Sequence, residues 1–211
     1  MTTNGFLMSL RTLPGREEKM DEMLRDAAPA VREESATAEW FAMSRGRGDF
    51  RIFGAFVDAA ALNKHLDSTF AHRLLGEVGT TLEERPHTRM LQILASKLPT
   101  SLPPQPDSKG LLLTFKAQEG HEDAALDFLT DAQPHVAAEA ETTAWFALRF
   151  EDGLFGLFAT FPDNGARLKH LVGYVPQTLA KNALTLLGSM PDMEMLEVLA
   201  GKLPNSAEGE T

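Results

Sequence analysis

The sequence predicts an α+β protein built from two copies of one unit. Each copy is a β-α-β-β-α-β run, and its four-stranded antiparallel sheet packs face to face with that of the other copy. Two observations carry this. First, the chain repeats itself at a single offset. Gly5-Phe6-Leu7-Met8 aligns with Gly110-Leu111-Leu112-Leu113, Trp40-Phe41-Ala42 with Trp145-Phe146-Ala147, and Lys97-Leu98-Pro99 with Lys202-Leu203-Pro204. All lie 105 positions apart (170 − 65 for the histidines of Lys64-His65-Leu66 and Lys169-His170-Leu171), and about a third of the aligned positions are identical. A period of that length is a whole small domain. Second, the strands are apolar at both parities. A sheet with one wet face alternates apolar and polar residues; Phe6-Leu7-Met8, Trp40-Phe41-Ala42-Met43 and Phe155-Gly156-Leu157-Phe158-Ala159 do not. The helices of one copy cover one sheet face, which leaves the other copy to cover the second.

The first strand runs from Gly5 to Thr12 and ends at Leu13-Pro14-Gly15. The first helix follows, because Met20, Met23, Leu24, Ala27, Ala28 and Val31 step by three and four, as do Ala125, Phe128, Leu129, Ala132 and Val136 in the second copy. Pro29 and Pro134 predict a kink or short break in it. A hairpin comes next: Ala38 to Arg45, a tight turn at Gly46-Arg47-Gly48-Asp49, then Phe50 to Val57, with Glu151-Asp152-Gly153 as the matching turn. Asp58 and Asp163 cap a helical region reaching about Leu82 and Leu187, interrupted near Asp67-Ser68 and Gly173. The last strand is Thr88 to Leu98, stopped by Pro99. The domains are thus residues 1–99 and 110–211. An extended linker at 100–109 carries Pro103, Pro104 and Pro106, and a polar, disordered tail starts at about 205.

Composition narrows the function. The chain has 211 residues, 43% of them hydrophobic and 24% charged, as in ordinary soluble domains. It has no cysteine, which removes disulfides, thiolate metal sites and cysteine nucleophiles. A net charge of −10 without a basic stripe speaks against nucleic acid as a partner. No apolar run is long enough for a membrane span, and no signal peptide is visible after Met1, so cytoplasmic residence is the default expectation. The glycines form neither a dinucleotide fingerprint nor a P-loop, no Gly-x-Ser-x-Gly elbow is present, and the six histidines lack metal-site spacing. The expectation is no protein-bound metal and no cofactor, with haem binding through a histidine left open.

The residues themselves match a known pattern. Pro-Gly after the first strand, Thr-x-x-Trp-Phe-Ala at Thr37–Ala42 and Thr142–Ala147, an aromatic strand running into Asp, helix and Lys-His-Leu, and a closing Leu-Ala-x-Lys-Leu-Pro strand resemble the antibiotic biosynthesis monooxygenase domain family. That family belongs to the dimeric α/β barrel superfamily. The resemblance covers nearly the whole chain, once per copy, and implies ferredoxin-like copies forming an intrachain pseudo-dimer; a further homodimer stays open. The superfamily spans quinol and polyketide oxygenases, haem-degrading enzymes and isomerases, so fold alone does not give chemistry.

His65 and His170 lead the candidate site residues. Each lies on the inward face of the helix after the third strand, and His65 is three and four residues past Leu62 and Ala61. Imidazole is the side chain whose unperturbed pKa suits proton removal at neutral pH; a half-buried packing histidine is the alternative. Trp40, Phe41, Trp145 and Phe146 could wall a flat pocket, one of each pair facing the helices and the other the opposed sheet; core filling is the alternative. Tyr174 and Asn63 are polar positions where the copies differ, Tyr174 facing Thr69 and Asn63 facing Leu168 in the alignment. They are candidate substrate contacts. The Asp and Glu residues fall mostly on predicted helix exteriors.

Three functions remain. The resemblance implies a cofactor-independent monooxygenase that takes a small quinol-like or polycyclic phenol and O2, with a histidine as base. A non-catalytic ligand-binding or stress-response protein needs only the pocket. A scaffold whose cavity is filled by its own side chains needs neither. The volume beside each histidine separates the third from the first two.

Overall fold

The computed structural model describes residues 2–99 and 108–204. Most of the proline-rich linker and the tail from 205 lie outside the described residues. In chain order the elements are β1 (Asn4–Arg11), α1 (Glu17–Glu33), β2 (Glu39–Gly46), β3 (Asp49–Phe56), α2 (Ala59–Leu66), α3 (Thr69–Gly76) and β4 (His87–Lys97). The second copy continues with β5 (Lys109–Lys116), α4 (Glu122–Asp131), α5 (Gln133–Ala137), β6 (Ala144–Phe150), β7 (Leu154–Phe161), α6 (Asn164–Leu171), α7 (Tyr174–Lys181), α8 (Ala183–Leu186) and β8 (Asp192–Lys202). This is the mixed α+β class predicted from the repeat. Among the described residues eight strands follow a closed hydrogen-bonded order, β1-β3-β2-β8-β5-β7-β6-β4.

The chain divides into two compact units. Among the described residues the first holds 2–90 and 197–204, the second 91–99 and 108–196. In the first, β3 pairs antiparallel with β1 (Phe6 opposite Gly54) and with β2, and β2 pairs on its far side with 197–202 of β8. In the second, β7 pairs with β5 (Leu111 opposite Ala159) and with β6, and β6 pairs with 91–97 of β4. The final strand of each repeat therefore gives its end to the sheet begun by the other repeat.

The local sequence explains the elements. The stripe on α1 is buried as its spacing requires: Met20, Met23, Leu24, Ala27, Ala28 and Val31. The two prolines act differently. Pro29 sits inside a continuous α1, near its C-terminal end, where losing one intrahelical bond is tolerated, whereas the second copy breaks at Ala132 and restarts with Pro134 in the first turn of α5. Asp58 and Asp163 accept from the N–H of Ala61 and Ala166 at 2.8 and 2.9 Å, fixing the starts of α2 and α6. The breaks fall at Asp67-Ser68 and at Val172-Gly173, between α2 and α3 and between α6 and α7. The β2–β3 turn needs positive φ at three successive residues, Gly46, Arg47 and Gly48.

Both faces of each sheet are buried. Trp40 and Ala42 pack with α1, and Trp145 and Ala147 with α4 and α5, in the helix-side cores. Phe41 and Phe146 point the other way by strand parity and lie 6.4 and 6.1 Å from their cross-strand partners Phe53 and Phe158. All four rings are at most 1% exposed.

Candidate functional site

Each repeat carries, in the last turn of the helix after its third strand, a buried histidine tied to a carboxylate. In the second copy, His170 lies in the last turn of α6, and its Nδ1 is 2.6 Å from Oε2 of Glu139. The Thr142 hydroxyl donates to the same oxygen at 2.7 Å. In the first copy, His65 Nδ1 is 2.6 Å from Glu34 Oε2, and Thr37 donates to that oxygen at 2.8 Å. A carboxylate against Nδ1 accepts a hydrogen bond from Nδ1–H and leaves the lone pair on Nε2. Nε2 of His170 has no hydrogen-bond partner among the described residues.

The carboxylates are themselves anchored. Glu34 follows α1 and Glu139 follows α5, where the last carbonyls have no intrahelical partner. Lys202 Nζ donates to the carbonyls of Val31 and Glu34 at 3.1 and 2.6 Å, and Lys97 does the same to Val136 and Glu139. Burial holds both lysines below the usual lysine range.

The second copy has a cavity beside its histidine. Its volume is about 410 Å³, within the span of small-molecule pockets. The floor is sheet: Leu111 and Leu113 of β5, Leu157 and Ala159 of β7. The roof is Leu171 of α6 with Val175 and Leu179 of α7. Exposed Ala180 and Met193 mark its mouth. His170 is the one titratable side chain among the lining residues.

The corresponding space in the first copy holds aromatic rings. Leu111 and Val175 correspond to Phe6 and Phe70 at the offset of 105. The Phe6 ring stacks on His65 at 5.6 Å, and Phe70 meets Trp40 edge-on at 5.8 Å; Phe56 lies 5.3 Å from the same imidazole, a contact the second copy shares through Phe161, 5.1 Å from His170. Gly54 is part of this arrangement. A Cβ there would come within 2.7 Å of Phe6, and the second copy has Ala159 at the same position, opposite the smaller Leu111.

The other residues singled out from sequence lie as follows. Trp145 and Trp40 are buried in the helix-side cores, and Phe41 and Phe146 on the opposite sheet faces; none of them lines the cavity. Asn63 is exposed on α2. Tyr174 is 42% exposed and stacks on His135 with centroids 3.5 Å apart. Glu34 and Glu139 were not singled out, since acidic residues near a helix end read as solvated. The signal for them was present: within the variable runs Arg32-Glu33-Glu34-Ser35-Ala36-Thr37 and Ala137-Ala138-Glu139-Ala140-Glu141-Thr142, only the Glu-x-x-Thr pair repeats. Among the described residues no group of three or more His, Cys, Asp or Glu is placed to hold a metal ion, and no helix is long and apolar enough to cross a membrane.

No protein-family model and no curated protein matches the chain. Solved structures do. A candidate monooxygenase from Fusobacterium nucleatum subsp. nucleatum superposes over 100% of this chain and 98% of its own with a TM-score of 0.85 at 10% identity. An anthrone oxidase-like protein does so over 98% and 94% with a TM-score of 0.65 at 15% identity. A ferredoxin-fold protein related to antibiotic biosynthesis monooxygenases, from Listeria monocytogenes 4b F2365, covers 94% and 95% with a TM-score of 0.55 at 6% identity. At these identities the likeness is one of fold. The expected resemblance holds at that level: the chain is a tandem ferredoxin-like α/β barrel of the kind built by relatives of the antibiotic biosynthesis monooxygenases.

Proposed function

We propose that the protein is a cofactor-independent monooxygenase for a small phenolic or quinol-like aromatic molecule, with His170 as general base. The observation that carries this is one imidazole in an otherwise apolar cavity, its Nδ1 taken by Glu139 and its Nε2 left to meet a ligand. Candidate monooxygenases and an anthrone oxidase-like protein among the structural neighbours support the class.

The chemistry asks little more of the chain. Nε2 removes the phenolic proton, and Glu139 receives the Nδ1–H of the imidazolium that forms. The electron-rich anion reduces O2, and a carbon–oxygen bond forms at a ring carbon that still bears hydrogen. The resulting hydroperoxide loses that hydrogen and the O–O bond breaks. This leaves a quinone carbonyl and water, with the proton returned from His170. One oxygen atom enters the product, the other leaves as water, and all four electrons come from the substrate. The apolar walls keep bulk water from the intermediate.

A second reading has its own support. The same His-Glu-Thr arrangement persists in the first copy, where rings occupy the space beside it. The triad therefore has a structural role, tying the end of the first helix to α2 or α6, and ligand binding without turnover needs nothing more. Paired variants test both. Under the enzymatic reading His170→Ala loses about 10²–10⁴-fold in hydroquinone oxidation under O2. His65→Ala keeps turnover per folded molecule but loses about 2–4 kcal/mol of stability, because it leaves a cavity and strips Glu34 of its partner. A folded His170→Ala protein with undiminished turnover removes the base role; absence of turnover in the wild type, with binding intact, leaves the binding reading.

A further inference from the structure

We infer that the chain carries one aromatic-ligand site, in the second copy, and that the first copy holds the same site closed by an internal plug of Phe6 and Phe70. This rests on reading the cavity as a ligand site, but not on turnover.

The two sites share their frame. Histidine, glutamate and threonine recur at one offset with matching distances, 2.6 Å from His Nδ1 to Glu Oε2 in both. The strand register is shared as well, Phe6 opposite Gly54 where Leu111 is opposite Ala159. What differs is volume. Phe6 against Leu111 and Phe70 against Val175 are both large-for-small exchanges, made where the second copy has its floor and roof. Gly54 for Ala159 is the compensating loss, since the Phe6 ring occupies the place of a Cβ. Three coordinated differences on one contact surface describe a ring fitted into a site, not drift in a core.

The plug also indicates the ligand. In the first copy a phenyl ring stacks on the imidazole with planes 23° apart, and a second ring stands edge-on to the tryptophan with planes 88° apart. An aromatic ligand in the second copy would take the place of the Phe6 ring against His170. At the mouth, Met193 is 48% exposed, where the first copy has Thr88.

The test is calorimetric titration with 1-naphthol under nitrogen, where no oxidation occurs. The wild type should bind one molecule per chain. Transplanting the plug with Leu111→Phe, Ala159→Gly and Val175→Phe should weaken binding at least tenfold. Removing it with Phe6→Leu, Gly54→Ala and Phe70→Val should raise the stoichiometry to two, folding being checked by circular dichroism; if that variant does not fold, the transplant decides. Two sites in the wild type, none at all, unchanged binding after the transplant, or a folded opened variant that still binds one would each overturn the inference. Because O2 is absent, failure of the monooxygenase reading shows separately, as binding without turnover when air is admitted.

Discussion

Glu39 has no counterpart in the second copy, and its chemistry sets a pH dependence. It opens β2, is 1% exposed, and its Oε2 has no hydrogen-bond partner. Burial pushes its carboxyl up to about 7, against the pull of a hydrogen bond from Thr2 and the charge of Lys202. The second copy has Ala144 there, with Thr160 Oγ1 accepting its N–H at 3.1 Å. A carboxyl raised on folding favours the folded state while protonated. That stability is fully present below the ordinary value of 4.5 and is lost as pH rises through about 7. Glu39→Gln should therefore leave stability nearly unchanged at pH 4.5 and raise it by on the order of 3 kcal/mol at pH 8.5. Urea titrations of both proteins at the two pH values check this; an equal difference at both would mean that ionisation is not the cause.

At the scale of elements, what the sequence could reveal depended on how local the determinant was. Strand limits from apolar runs and turn residues fell within about a residue of β1, β2 and β3, because Gly15, Gly46 and Asp58 act on their immediate neighbours. The fate of Pro29 did not follow, since it depends on how much helix remains beyond it. The role of Glu34 and Glu139 was hidden because their partners lie 31 residues away. The cavity was hidden for a related reason: it is the sum of Leu111, Ala159 and Val175, none unusual alone. Comparing the copies position by position against Phe6, Gly54 and Phe70 does expose it. The strand ends give a further prediction. Lys202 satisfies two carbonyls at the end of α1, so Lys202→Met should cost about 1–3 kcal/mol, and hydrogen exchange should quicken in the last turn of α1 before it does in β1 or β3. Unchanged protection at Val31 to Glu34 would show that water replaces the lysine at no cost.

At the scale of the whole molecule, the question is why two copies share one chain. The first unit is incomplete without residues 197–202, which pair along β2 and supply Leu199 and Ala200 to its core. A fragment ending at residue 99 keeps β1, β2 and β3 but leaves the β2 edge with unpaired N–H and C=O groups. It also keeps residues 92–97, which align at the offset of 105 with 197–202: Gln92-Ile93-Leu94-Ala95-Ser96-Lys97 against Glu197-Val198-Leu199-Ala200-Gly201-Lys202. In the full chain those residues pair with β6, not with β2 of their own repeat. Two fragments can therefore complete each other, each giving its last strand to the other's β2 and its Lys97 to the other's Val31 and Glu34 carbonyls. Residues 1–99 alone should form a homodimer, with a mass in light scattering twice that of the fragment and a melting temperature that rises with concentration. Lys97→Met in the fragment should weaken the dimer, since it removes the same anchor that Lys202 supplies in the intact protein. A stable monomer at micromolar concentration would mean that β4 can fold back onto β2 of its own repeat. The exchange of strand ends would then be a preference of the fused chain and not a requirement of the fold.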